Sequence, residues 1–122
     1  MHWFTIILAA FIIFYIVLPK LNQAPLEEAA KAIKDGAPFI DVRTSREFSQ
    51  QSIPGSKNYP LSSLREGIES SGYDKDEPIL VFCLSGTRSS SAQKQLKMLG
   101  YTKVMNIGSF GRAQKAFELS KS

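Results

Sequence analysis

Cys83 and His2 are the single cysteine and the single histidine of a 122-residue chain. These counts limit the chemistry. No intramolecular disulfide can form, and no Cys/His zinc site can be assembled within one chain. A Ser-His-Asp triad or a Cys-His pair fails as well, because His2 lies at the far N-terminal end. No metal and no cofactor is expected. If Cys83 is a nucleophile, something other than imidazole must make its thiolate.

The residues that follow supply a candidate. Cys83-Leu84-Ser85-Gly86-Thr87-Arg88 comes directly after Ile79-Leu-Val-Phe82, four large apolar residues that read as a central strand. A helix is expected from Ser89 to Leu99, with Gly100 as its stop. A sulfur between strand and helix faces the unpaired N–H groups of the helix start, which carry about half a positive charge. Gly86 lets successive amides converge into an anion-binding nest. Thr87 or Ser89 can cap the helix, and Arg88 adds a cation in its first turn. All of these favour a thiolate, and the same cradle holds an anionic substrate against it. The arrangement requires a sulfur that solvent can reach. A buried strand-end cysteine acting as a small hydrophobe is the plainer alternative. The polar residues after Cys83, where packing would want apolar ones, argue against it. Ser89, Ser90 and Ser91 read as helix-start and solvated residues.

The elements that position this loop form an alternating series. Pro25 opens a helix whose positive end is favoured by Glu27 and Glu28 and which Gly36 stops. Pro38 to Val42 reads as a buried strand, and Ser45 as the cap of a brief helix through Gln50. Ile53 to Ser56 is turn chemistry, Pro60 to Ser70 a short helix and Asp74 to Pro78 a loop. Lys103 to Ile107 is a last strand, Gly108 to Phe110 a turn and Gly111 to Leu119 a terminal helix. The series predicts an α/β fold with a small, mostly parallel sheet flanked by helices over residues 25–122. In such sheets ligands bind beyond the carboxyl ends of strands, where Cys83 lies.

Composition is that of a folded protein, 43% apolar and 21% charged. The net charge of +4 is uneven: Lys20 to Phe82 holds eight basic against ten acidic residues, and Cys83 to Ser122 seven basic against Glu118 alone. That asymmetry is either a solvated basic surface or an attraction for a small anion near Cys83. No aromatic-interleaved basic stripe is visible, so nucleic acid is not an expected partner.

Trp3 to Leu18 contains no charge. As a helix extended to Leu21, with Lys20 reaching outward, it spans about 28 Å, close to the roughly 30 Å hydrocarbon core of a bilayer. Residues 1–21 are therefore expected to be a single transmembrane anchor helix in contact with the membrane through residues 3–21. A cleaved signal peptide is the alternative, opposed by the lack of Lys or Arg before the apolar stretch and of an A-x-A site after it. Lys20, Lys31 and Lys34 follow the segment, which places the C-terminal domain in the cytoplasm by the positive-inside bias, with periplasmic exposure left open.

Cys83-Leu-Ser-Gly-Thr-Arg-Ser89 resembles the active-site loop of single-domain rhodaneses, the thiosulfate sulfurtransferases, and the resemblance extends over roughly residues 25 to 118. Asp41-Val-Arg43 with Glu47-Phe48, Ile53-Pro-Gly55 with Asn58, Gly100-Tyr101 and Asn106-Ile107-Gly108 match further landmarks of that family. The resemblance implies a persulfide on Cys83, formed from an anionic donor such as thiosulfate and discharged to cyanide or another thiophilic acceptor. It also implies that Leu84, Ser85, Gly86, Thr87 and Arg88 bind the anion, the Arg88 side chain helping their backbone amides. Asp41 and Arg43 are expected to be structural, with Arg43 and Glu47 as a candidate ion pair. The chain departs from the pattern at Ser52, where His is frequent, at Gly108-Ser109 in place of Gly-Gly, and at Phe117, the nearest bulky residue to a missing tryptophan.

Two rivals are weighed against the sulfurtransferase. A Cys-dependent phosphatase needs five residues between Cys and Arg, and only four separate Cys83 from Arg88. The other is a membrane-tethered, non-catalytic sulfur carrier or redox sensor serving a membrane protein partner.

Overall fold

The computed structural model describes the backbone of residues 2–21 and 23–122, and the side-chain surroundings of 2–16 and 23–122. Strands β1 (Phe39–Asp41), β2 (Lys57–Asn58), β3 (Ile79–Phe82) and β4 (Val104–Gly108) form one parallel sheet in the order β2-β1-β3-β4. The helices are α1 (His2–Leu21), α2 (Leu26–Lys34), α3 (Ser45–Gln50), α4 (Leu64–Ser71), α5 (Thr87–Met98) and α6 (Phe110–Ser120), with a short 3-10 turn at Leu61–Ser63.

Alternation along β3 divides the core into two. Ile79, Val81 and Cys83 face Ile40, Leu64, Ile68, Ala92 and Leu96 on the side of α4 and α5. Leu80 and Phe82 face Ala29, Phe39, Ile53, Ile107, Ala113 and Ala116 on the side of α2 and α6. All four residues of β3 are buried, which is why this strand reads as a continuous apolar run rather than an alternating one.

The pairing of β3 with β4 slips after Val81. Val81 stands opposite Asn106, but Phe82 stands opposite Gly108, so β4 carries one extra residue just before the loop. The slip sets Gly108 beneath Cys83, whose N–H donates to the Gly108 carbonyl at 3.0 Å. Along the outer side of β4, carbonyls are taken by groups from outside the sheet. Gln93 Nε2 donates to Val104 O, Ala24 N to Asn106 O and Arg112 Nε to Ile107 O.

Several local expectations are corrected. The cap of α3 is Thr44, not Ser45: its hydroxyl accepts from Glu47 N–H, and the Glu47 carboxylate returns to Thr44 N–H, a reciprocal capping box. Pro25 is the residue before α2 rather than its first turn. Strand β2 was not expected, since Lys57 and Asn58 carry no apolar signal and pair only through backbone with Ile40 and Asp41. Helix α5 begins at Thr87, two residues early, and α6 begins at Phe110 because the Ser109 hydroxyl accepts from Arg112 N–H.

Along α1, the large apolar side chains from Trp3 to Ile16 are 48–66% exposed. Among the described residues no helix is long and apolar enough to cross a membrane. The expected span to Leu21 runs over residues 17–21, whose side chains lie outside the described set.

Candidate active site

The site is built where β3 ends. After Phe82 the chain turns through Cys83, Leu84, Ser85 and Gly86 and enters α5 at Thr87. The turn needs Gly86: its φ of +105° lies in the left-handed region that residues with a Cβ resist. Ser85 bridges to Ser109, and Phe110 N–H donates to Leu84 O at 3.1 Å, so the loop is fastened to the start of α6.

Of the loop amides expected to converge on the sulfur, one is seen on it. Gly86 N–H donates to Cys83 Sγ at 3.0 Å. No side chain caps α5, which corrects the expectation for Thr87 and Ser89 and leaves the start of the helix open to an anion. Ser89 is instead fully buried, with its Oγ 3.6 Å from Cys83 Sγ. Its hydroxyl reaches Gly86 O at 3.0 Å and Gly108 O at 3.4 Å. Sequence reasoning missed this contact. The available signal was helical phase, because Ser89 precedes the buried Ala92 and Leu96 by three and seven positions on the same face.

Arg88 does not lie free over the loop. Its guanidinium forks onto Glu47, with Nη1 to Oε1 at 2.6 Å and Nη2 to Oε2 at 3.0 Å. The Arg88 fork, with help from the Thr44 N–H, holds the Glu47 carboxyl far below its ordinary 4.5, at about 2. Glu47 in turn raises Arg88 above its ordinary value. The ion pair expected between Arg43 and Glu47 is therefore redistributed. Arg43 pairs with Asp41, Nη2 to Oδ2 at 2.7 Å, and both are buried.

Asp41 and Arg43 act as the floor. Arg43 also donates to Gln51 O at 2.6 Å and lies 4.6 Å over the Phe110 ring. Asn58 Nδ2 donates to Asp41 O and Arg43 O. The two residues thus join β1, the end of α3, β2 and the start of α6 beneath the loop, a structural role as expected.

Cys83 itself has 0% exposure, against the expectation of a reachable sulfur. Gly86, Ser89 and Gly108 crowd it, whereas Leu84, Ser85 and Thr87 are exposed, so the sulfur sits one layer beneath the surface. A cavity of about 550 Å³ beside the loop is lined by Val42, Thr44, Pro60, Leu61, Ser62, Arg88 and Gln95.

Comparison with known proteins agrees with this architecture. Residues 25–111 match the rhodanese-like domain family. The chain is 36% identical over 70 residues to the thiosulfate sulfurtransferase PspE of Escherichia coli, covering 57% of this chain and 67% of that one. Among solved structures it is similar to the reduced CoADR-RHD of Bacillus anthracis, with TM-score 0.64 and 32% identity over 80% of this chain, but it spans only 17% of that protein. It is also similar to a rhodanese with anions from E. coli, with TM-score 0.59 and 32% identity, covering 63% of this chain and 91% of that one. A parallel four-stranded sheet flanked by helices, a lone cysteine at the head of an uncapped helix and a family match over most of the domain lead to one assignment: the chain belongs to the rhodanese-like family, whose members include sulfurtransferases.

Proposed function

We propose that the protein is a sulfurtransferase that carries sulfane sulfur on Cys83. The Cys83 thiolate attacks the outer sulfur of thiosulfate or a similar anionic donor. A new S–S bond forms, the donor S–S bond breaks, and sulfite leaves with the bonding electron pair. Cyanide or a thiolate acceptor then attacks the outer sulfur of the persulfide, and Cys83 leaves as thiolate. No external oxidant or reductant is consumed.

The observation that carries this reading is Gly86 N–H on Cys83 Sγ at 3.0 Å, at the open start of α5. The Gly86 N–H points at the sulfur that attacks, and the unspent amides beyond it suit the sulfonate end of a donor. The names of the E. coli relatives, a thiosulfate sulfurtransferase and a rhodanese with anions, support both halves. Since Cys83 is buried, donor uptake requires the exposed Leu84–Ser85 segment to yield.

The test is intact mass after incubation with thiosulfate. The expected result is a gain of one sulfur atom, lost on adding cyanide with release of thiocyanate, and no gain in Cys83→Ser. No adduct, or an adduct that cyanide does not discharge, would instead favour the carrier or redox-sensing role. We further assign residues 3–21 as a single membrane anchor, on the exposed apolar surface of α1, with the domain on the cytoplasmic side. Protease protection in sealed vesicles reads that orientation.

A further inference from the structure

Two glycines beside the sulfur leave a notch that the chain fills from elsewhere. Gly86 and Gly108 have φ of +105° and +100°, and the Gly108 Cα lies 3.7 Å from where a Cβ on Gly86 would stand. The side chain of Gln23 occupies the shared space. Its Nε2 is 3.2 Å from the Cβ position of Gly86, and its Cδ is 2.7 Å from that of Gly108. A side chain on Gly108 would collide with it. Both glycines touch the chemistry directly, Gly86 through its N–H on Cys83 Sγ and Gly108 through its carbonyl, which receives Cys83 N–H and the Ser89 hydroxyl.

The next residue fixes Gln23 in place. Ala24 N–H donates to Asn106 O at 2.7 Å, and Arg112 Nη2 donates to Ala24 O at 2.5 Å. Arg112 also holds Ile107 O at 2.8 Å, so Ala24 is strapped to the last residues of β4.

We infer that Gln23 is a positioning residue for the Cys83 loop. By filling the notch it prevents Gly86 from rotating away from the sulfur, and it makes the segment after α1 part of the wall that supports the site. Gln23 fills the side of Gly86 where a side chain would stand, while the Gly86 N–H is turned to the sulfur, so Gln23 acts through the glycine and not on the donor. Its link to turnover rests on the sulfur-transfer reading above, whereas its link to Gly86 is independent of it.

The test uses the full chain in detergent micelles with Gln23→Ala, which empties the notch, and Gln23→Met, which refills it without a carboxamide. Hydrogen exchange is read at the Gly86 amide and, as a control, at the Val81 amide in β3. Expected for Gln23→Ala is exchange at Gly86 faster by about tenfold, the equivalent of one lost hydrogen bond, with Val81 unchanged. Thiosulfate turnover should lose kcat while KM holds, and Gln23→Met should restore both readings. Unchanged exchange at Gly86, equal acceleration at Val81, or a Gln23→Met variant as impaired as Gln23→Ala would overturn the inference. If the wild-type chain shows no turnover, the sulfurtransferase reading fails, and the Gly86 comparison still decides the role of Gln23.

Discussion

Glu47 and Arg88, 41 residues apart in sequence, face each other through a two-pronged ion pair that ties α3 to the first turn of α5. The cation nearest the sulfur loop is therefore already matched by a carboxylate that is itself fixed by the Thr44 capping box. A bidentate fork of this kind has defined geometry, which a single-point lysine contact lacks. Arg88 thus anchors the loop through α3, with its charge already matched by Glu47.

The pair gives the protein an acid-sensitive contribution to stability. Glu47 titrates at about 2 in the folded chain against 4.5 ordinarily. Its contribution is complete above pH 4.5 and is lost as pH falls towards 2. Side-chain exposures of 33% and 27% mean solvent screens the pair, so the contribution is about 1 kcal/mol. Glu47→Gln is expected to lower stability by about that amount at pH 7 and by little at pH 2. Urea unfolding at the two pH values measures it, and an equal loss at both would contradict the assignment.

Arg43→Ala strands the Asp41 carboxylate, which has 0% exposure, without its charge partner. Breaking a buried pair this way costs about 3–5 kcal/mol. Expected is a lower urea midpoint with unchanged slope. Full stability in this variant would contradict the pair's role in holding the fold.

Ser89→Ala removes the hydroxyl 3.6 Å from Cys83 Sγ together with its bonds to Gly86 O and Gly108 O. The stability loss should be about 1 kcal/mol, typical of one hydrogen bond. Sulfur transfer should fall by a larger factor than fold stability explains, because the hydroxyl packs against Cys83 Sγ and ties the two carbonyls that flank it. Comparing turnover with thermal unfolding separates the two effects.

Asn106 is buried with both carboxamide atoms unpartnered among the described residues. A buried amide in that state costs about 1–3 kcal/mol. Asn106→Leu, with the same number and branching of side-chain heavy atoms and no polar ones, is expected to be neutral or stabilising in urea unfolding. Destabilisation by more than about 1 kcal/mol would show that the amide has a partner after all.

The sequence made legible what depends on local pattern. β3 falls on Ile79–Phe82 as expected because four consecutive apolar residues admit few other placements. The Cys83–Arg88 loop was visible because polar residues and a glycine follow a buried strand, and the alternation of strands and helices gave the parallel sheet. Pairings between distant segments were not legible. Whether Glu47 meets Arg43 or Arg88 depends on how α3 docks, and the first pair are four positions apart in sequence where the second are 41. β2 has no side-chain signature, since the backbone of β1 recruits it. Ser89 required the helix to begin two residues early before its phase brought it to the sulfur. Gln23 lay in what read as a linker, and nothing in its own neighbourhood announces the notch between Gly86 and Gly108.

β4, one of the two edge strands of the sheet, has a further property. Gln93, Ala24 and Arg112 each claim a carbonyl along β4, so its free flank offers few acceptors to another polypeptide. Unclaimed, such a flank is a template on which copies of a chain zip together into fibrous aggregates. Blunted in this way, the β4 side is a poor platform for strand addition, and the two-residue β2 is all that the opposite edge exposes.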